Sequence, residues 1–158
     1  MGHAFHQLYY HLIWATHNRD PQLFRQLRPA FLQLLHEEAE RRGGIPLRHN
    51  AMPDHVHLLV RLPPTLAVSE FLGQVKGATA FRANRELSPK FKIRCQEGYG
   101  AMTLRKQEID GVARYIDRQE EHHAGGNLSR WLECVEAVGD EGPYRGKIGM
   151  RAVIGSQA

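Results

Sequence analysis

The sequence predicts an α+β fold of the ferredoxin-like, RNA-recognition-like kind, an antiparallel sheet in the order β-α-β-β-α-β-α with helices packed on one face. Three observations carry this. Stretches that alternate with a period of two are separated by stretches with helical spacing. Two strand segments follow one another directly, with only Met52-Pro53-Asp54 between them. The chain has 158 residues, 42% hydrophobic and 24% charged, which suits one domain with a core of its own.

Each element has a local reason. From Leu8 to Thr16 the chain alternates, with Leu8, Tyr10, Leu12 and Trp14 on one face and Tyr9, His11, Ile13 and Ala15 on the other; this is a strand pattern. Asp20-Pro21 reads as a cap and first helical turn, and Pro29 starts the main helix, which runs to Arg42 with Phe31, Leu34, Leu35 and Ala39 as its apolar stripe. Gly43-Gly44 ends it. A second strand is expected from Ile45 to Ala51, and a third from His55 to Leu62, stopped by Pro63-Pro64. Ser69 caps a helix from Glu70 to Leu87 with Leu72, Val75 and Thr79 inward. Gly98 to Leu104 reads as a short fourth strand. The last clear helix is expected from Gln107 to His123, with Ile109, Val112, Ala113 and Ile116 inward and Gly125-Gly126 closing it. The division is thus a domain over 1–125 and an extension over 126–158, with one helical piece at 128–138 and a Gly-rich end.

Two cysteines, Cys95 and Cys134, make no disulfide framework and no C-x-x-C, so a reducing, cytoplasmic setting is expected. No apolar run approaches the ~18 residues of a membrane span, and the first residues lack the basic stretch of a signal peptide. The net charge of +4 is unevenly distributed. Arg48 to Lys106 carries a net +6 and Gln107 to Pro143 a net −6. The middle of the chain is therefore a candidate surface for a polyanion.

His55-Val56-His57 is the first candidate site. Residues two apart on a strand point the same way, about 6.6 Å apart along it, so two imidazoles can converge on one metal ion. The plain alternative is two half-exposed histidines. Tyr115 and Gln119, four apart on the last helix, share a face, and His122 continues the row. Taken alone they read as a margin tyrosine and a solvated glutamine. Together with the His pair they make a coherent phosphoryl-transfer site. Two imidazoles and an amide oxygen would hold a divalent metal with positions left open, and a tyrosine one turn away would be the nucleophile. A phenol of pKa near 10 needs such help to attack a phosphate.

Met52-Pro53-Asp54-His55-Val56-His57-Leu58-Leu59-Val60 resembles the His-hydrophobic-His motif of single-tyrosine HUH transposases. Gly98-Tyr99-Gly100-Ala101 and Tyr115-Ile116-Asp117-Arg118-Gln119-Glu120-Glu121-His122-His123 are similar to their second block. Tyr10-His11-Leu12-Ile13-Trp14-Ala15-Thr16 and Ser69-Glu70-Phe71-Leu72-Gly73-Gln74-Val75-Lys76-Gly77 fit as well. The chain thus resembles the insertion-sequence 200/605 family from about Phe5 to His123. The resemblance implies a prokaryotic homodimer that cuts and rejoins single-stranded DNA beside hairpins at element ends. Tyr115 would form a 5′-phosphotyrosine, and His55, His57 and Gln119 would hold Mg²⁺ or Mn²⁺. It further implies that the helix bearing the tyrosine can serve the partner subunit's His pair. A sister group tied to repeated palindromes carries Asn-Pro after its tyrosine. This chain has Gln119-Glu120-Glu121-His122-His123 there, which places it with the insertion-sequence proteins, although the tail beyond Gly125 departs from the family pattern.

Lys76, Arg82, Arg85, Lys90, Lys92, Arg94, Arg105 and Lys106 are the expected phosphate contacts. Tyr9, Tyr10 and Trp14 offer rings for stacking on bases, but Trp14 shares a stripe with Leu8 and Leu12 and reads as core. Two other functions compete. A domesticated, non-catalytic protein would bind single-stranded DNA hairpins without cutting them. A metal-dependent phosphodiesterase would need a second H-x-[ST] motif, which the sequence lacks.

Overall fold

A computed structural model of the chain describes residues 3–128 and 132–133. Its strands are β1 (Tyr9–Ala15), β2 (Ile45–Ala51), β3 (His55–Arg61) and β4 (Gly100–Leu104); its helices are α1 (Arg28–Arg41), α2 (Val68–Glu86), α3 (Ile109–Asp117) and α4 (Gln119–Gly125). The strands form one sheet in the order β2-β3-β1-β4 with every pairing antiparallel. This is the expected ferredoxin-like arrangement. The helical piece expected at 128–138 falls almost wholly outside the described residues. Among those described, no helix is long and apolar enough to cross a membrane.

The two central strands decide where everything else packs. In β1 and β3 alternate residues face opposite sides, and the register pairs Ala15 with His55, Ile13 with His57 and His11 with Leu59. Leu12, Trp14, Val56, Leu58 and Val60 form one face and pack with Phe31, Leu34 and Leu35 of α1 and with Phe71, Leu72 and Val75 of α2. Trp14 is 1% exposed, so its ring belongs to the core and is closed to bases. Gly44, between α1 and β2, lies where a Cβ would come 2.8 Å from the Phe71 ring. Only glycine lets that backbone approach α2 so closely.

The last helices depart from the expected packing. They cover the opposite face of the sheet, where Val112 and Ile116 of α3 meet Leu59, Leu104 and Leu132. That is why β3 is buried on both faces along nearly its whole length. Asn50 donates to the Ile116 carbonyl at 2.8 Å and so ties α3 to β2. The expected single helix over 107–123 is also interrupted. Lys106–Glu108 is a short 3-10 turn, and the chain bends at Arg118 (φ −102°, ψ 25°) before α4. The bend turns α4 toward the end of the sheet where β3 begins, and there the candidate site lies.

Candidate metal and nucleophile site

His55 and His57 project from β3 on the face covered by α3 and α4, and they are 1% and 0% exposed. Their rings lie 5.1 Å apart, edge to face. Each is oriented through its Nδ1. The His55 Nδ1 lies 2.6 Å from Asp54 Oδ1, and the His57 Nδ1 lies 2.9 Å from Nε2 of His11, whose ring stacks on that of His57 at 5.1 Å. When Nδ1 carries the proton, each Nε2 keeps its lone pair free for a metal. The hydrogen bond from His55, helped by the charges of His55 and Arg19 against the opposing effect of burial, holds the Asp54 carboxyl down at about 2. Burial pushes the His57 imidazole down and so favours its neutral form, the form that can bind a metal.

Tyr115, at the C-terminal end of α3, brings its ring to 6.4 Å from that of His57 and stacks on His122 at 4.5 Å. Gln119 follows the bend, is 0% exposed, and donates to the Tyr115 carbonyl at 3.3 Å. The row Tyr115, Gln119, His122 expected from helical spacing is therefore present, although a break in the helix runs through it. His123 also turns inward, its ring 4.9 Å from that of His55.

Glu133 was invisible to sequence reasoning. Its carboxylate accepts a hydrogen bond from the Tyr115 hydroxyl at 2.7 Å. It also faces Nε2 of His55 at 3.4 Å and Nε2 of His57 at 3.5 Å. Burial would raise its pKa, but the facing imidazole of His57 and the Tyr115 hydroxyl bring it down to about 2, so it stands as a carboxylate. No motif or period ties Glu133 to the His pair, because it lies in an acidic segment 76 positions beyond His57.

The donor set fits a divalent cation. Among the described residues, Oε1 of Gln119 is buried without a hydrogen-bond partner, and Nε2 of His55 and of His57 have only the Glu133 carboxylate, 3.4 and 3.5 Å away, before them, an arrangement that an ion among these atoms would complete. One ligand atom from each of His55, His57 and Glu133 falls within 4.8 Å of the others, the one such group among the described residues. Imidazole with carboxylate or amide oxygen suits several divalent ions.

The expected DNA contacts divide into two groups. Lys76 is buried, and its ammonium donates to the carbonyls of Gln96, Glu97 and Gly98 at 2.6, 3.2 and 3.1 Å. It therefore holds the segment leading into β4 and is not presented to a phosphate. Arg82 is paired with Glu37, Glu38 and Glu86, each at 2.9 Å. Arg85, Lys90, Lys92, Arg94, Arg105 and Lys106 are exposed.

Comparison with known proteins places the chain in a family. Residues 4–119 match the family described as transposase IS200 like. The ISDra2 transposase TnpA of Deinococcus radiodurans is 30% identical over 122 residues, 73% of this chain and 86% of its own. The transposase for insertion sequence element IS200 of Salmonella typhimurium is 29% identical over 135 residues, 82% of this chain and 88% of its own. Among solved structures, a candidate transposase from Deinococcus radiodurans R1 aligns with a TM-score of 0.58 at 25% identity, covering 75% of this chain and 96% of that one. A REP-associated tyrosine transposase bound to a REP hairpin aligns with a TM-score of 0.55 at 13% identity, covering 90% and 96%; this second likeness concerns the fold. With a family match across most of its length, the chain belongs to the IS200-like transposases.

Proposed function

We propose that the protein cleaves and rejoins single-stranded DNA through a covalent link to Tyr115, with His55, His57 and Gln119 holding a divalent metal. The observation that carries this reading is convergence. The Tyr115 hydroxyl and both imidazole Nε2 atoms meet at a single carboxylate, Glu133, at 2.7, 3.4 and 3.5 Å. A phosphate bound beside that carboxylate would lie near the nucleophile and the metal ligands together.

A bound Mg²⁺ or Mn²⁺ would neutralise the non-bridging oxygens of the scissile phosphate. The remaining work falls to the chain. Asp54 and His11 hold the two imidazoles by their Nδ1 atoms, so that Nε2 faces the site. The Tyr115 proton has a carboxylate acceptor in Glu133. As the bond from Tyr115 Oη to phosphorus forms, the bond from phosphorus to the 3′-oxygen breaks, and that oxygen takes up a proton from water and leaves as a 3′-hydroxyl. The product is a 5′-phosphotyrosine, which the 3′-hydroxyl of another strand can later attack without an external energy source. The exposed cations Arg85, Lys90, Lys92, Arg94, Arg105 and Lys106 supply the phosphate contacts, and hairpins at element ends are the substrates. Because one chain brings Tyr115 to its own His pair, assembly within a single subunit is geometrically supported; a homodimer would supply two such sites for two DNA ends.

The test is direct. Protein incubated with Mn²⁺ and single-stranded DNA from the element ends should form an adduct that survives denaturing electrophoresis. Tyr115→Phe should abolish it; the same adduct from Tyr115→Phe protein would overturn the assignment.

A further inference from the structure

We propose that a cleft tied to the turn that precedes the His pair, walled by Phe24 and Phe91, binds an unpaired nucleobase of single-stranded DNA by stacking, while Lys92 and Arg94 hold the adjoining phosphates. The inference rests on the reading of the protein as a DNA strand transferase and adds a base-binding site to it.

The cleft has a volume of about 520 Å³ and is lined by His17, Asp20, Phe24, Phe91, Lys92 and Arg94, among others. Its two rings are conspicuous, since Phe24 is 39% and Phe91 is 53% exposed. They face each other at 6.0 Å with a tilt of 40°. Neither belongs to either apolar core, so the fold leaves two adjacent rings in solvent and forgoes burying them. The Lys90 ammonium sits 5.4 Å from the Phe91 ring centre. A second cleft of about 420 Å³, lined by Phe24, Leu87 and Lys90, shares the Phe24 ring with it. Rings interleaved with cations, with Asp20 as the single acidic residue among the described residues lining either cleft, match the chemistry of a single strand, whose bases stack on aromatic faces and whose backbone needs positive charge.

Hydrogen bonds tie the cleft to the turn that precedes the His pair. Its rim residue His17 donates its backbone N–H to the Arg94 carbonyl at 2.9 Å. Two residues on, Arg19 binds Asp54 Oδ2 at 3.3 Å, and Asp54 Oδ1 holds His55. Thr16 closes the arrangement with hydrogen bonds to the Asp20 and Asp54 carbonyls at 2.6 and 3.1 Å. The rim of the cleft is thereby tied to Asp54, the residue that holds His55 by its Nδ1. Asn18 and Arg19 hold positive φ in this rim, at 54° and 55°, a conformation unfavourable for side-chain-bearing residues.

The experiment uses the full chain without added metal, so that no cleavage intervenes, and follows fluorescence anisotropy with two labelled probes. One is an oligothymidylate of about 12 nucleotides, the other an abasic deoxyribose-phosphate strand of equal length. Phe24→Ala and Phe91→Ala should each weaken oligothymidylate binding about tenfold. Neither should change the salt dependence or the affinity for the abasic strand, and Phe91→Trp should restore binding. Lys92→Ala with Arg94→Ala should weaken both probes and lower the salt slope. Wild-type affinity in the Phe variants overturns the proposal, as does an equal loss on both probes. A change in oligomeric state with unchanged DNA affinity also overturns it and makes this face a contact between copies of the chain. The two readings fail separately. An adduct that survives Tyr115→Phe sinks the nucleophile alone, whereas a Tyr115 adduct with no effect of the Phe variants sinks the cleft alone.

Discussion

His11 shows how a single residue acts at a distance from the chemistry. It sits on β1, is 0% exposed, and meets the His57 Nδ1 at 2.9 Å through its own Nε2. If His57 offers Nε2 to a metal, His11 must accept the proton on Nδ1, so His11 chooses the tautomer. His11→Leu should therefore lower Mn²⁺ affinity by about 10- to 100-fold, read by calorimetry or by the Mn²⁺ paramagnetic signal, while His11→Gln, which keeps an acceptor near that point, recovers much of it. Equal Mn²⁺ affinity in His11→Leu and wild type would leave His11 a packing residue. Glu133 belongs to the same scale. Sequence spacing could single out His55, His57, Tyr115 and Gln119 because the members of each pair stand only two or four positions apart. Glu133 shares none with them, so nothing local could point to it.

At the level of elements, the register of β1 against β3 places both His55 and His57 on the face opposite α1 and α2. Alternation foretold that the two would share a face but could not say which helix covers it. The break at Arg118 is likewise a matter of packing. α3 must bury Val112 and Ile116 on the sheet while Gln119 and His123 reach its end, and one straight helix does not satisfy both. The junction of α1 and β2 tests the other face. Gly44→Ala would push a methyl to within 2.8 Å of the Phe71 ring, and overpacking of that kind costs about 1–3 kcal/mol. The urea midpoint should fall accordingly; an unchanged midpoint would mean that Phe71 moves aside freely.

Across the whole molecule, buried histidines couple stability to pH. Burial first, and then the charge of His57, lower the His11 pKa from 6.5 to about 3. Above pH 6.5 the group is neutral in both states and stability is unaffected. Below it the unfolded chain takes up a proton that the folded chain refuses, and stability falls by about 1.4 kcal/mol per pH unit for that one group. His57 and His123, also lowered by burial, add to the slope. Urea unfolding of the metal-free protein should thus show a midpoint that drops steadily from pH 7 to pH 5, and His11→Gln should flatten that drop. A wild-type midpoint constant over this range would show that the buried imidazoles accept protons in the folded state.

The sequence by itself determined the class of fold and the strand order, and it singled out the His pair, the tyrosine and the glutamine as candidates, because alternation and helical spacing are short-range patterns written in neighbouring residues. It also marked the basic middle of the chain. Tertiary structure alone decided which charges remain available, since Lys76 and Arg82 find internal partners that lie far off in sequence. It alone placed α3 and α4 on the second face, brought His11 behind His57 and Glu133 in front of it, and left Phe24 and Phe91 side by side in solvent. The physical reason is the same in each case: these contacts join segments from about 20 to about 75 residues apart, and the folded sheet, which no local pattern encodes, brings them together.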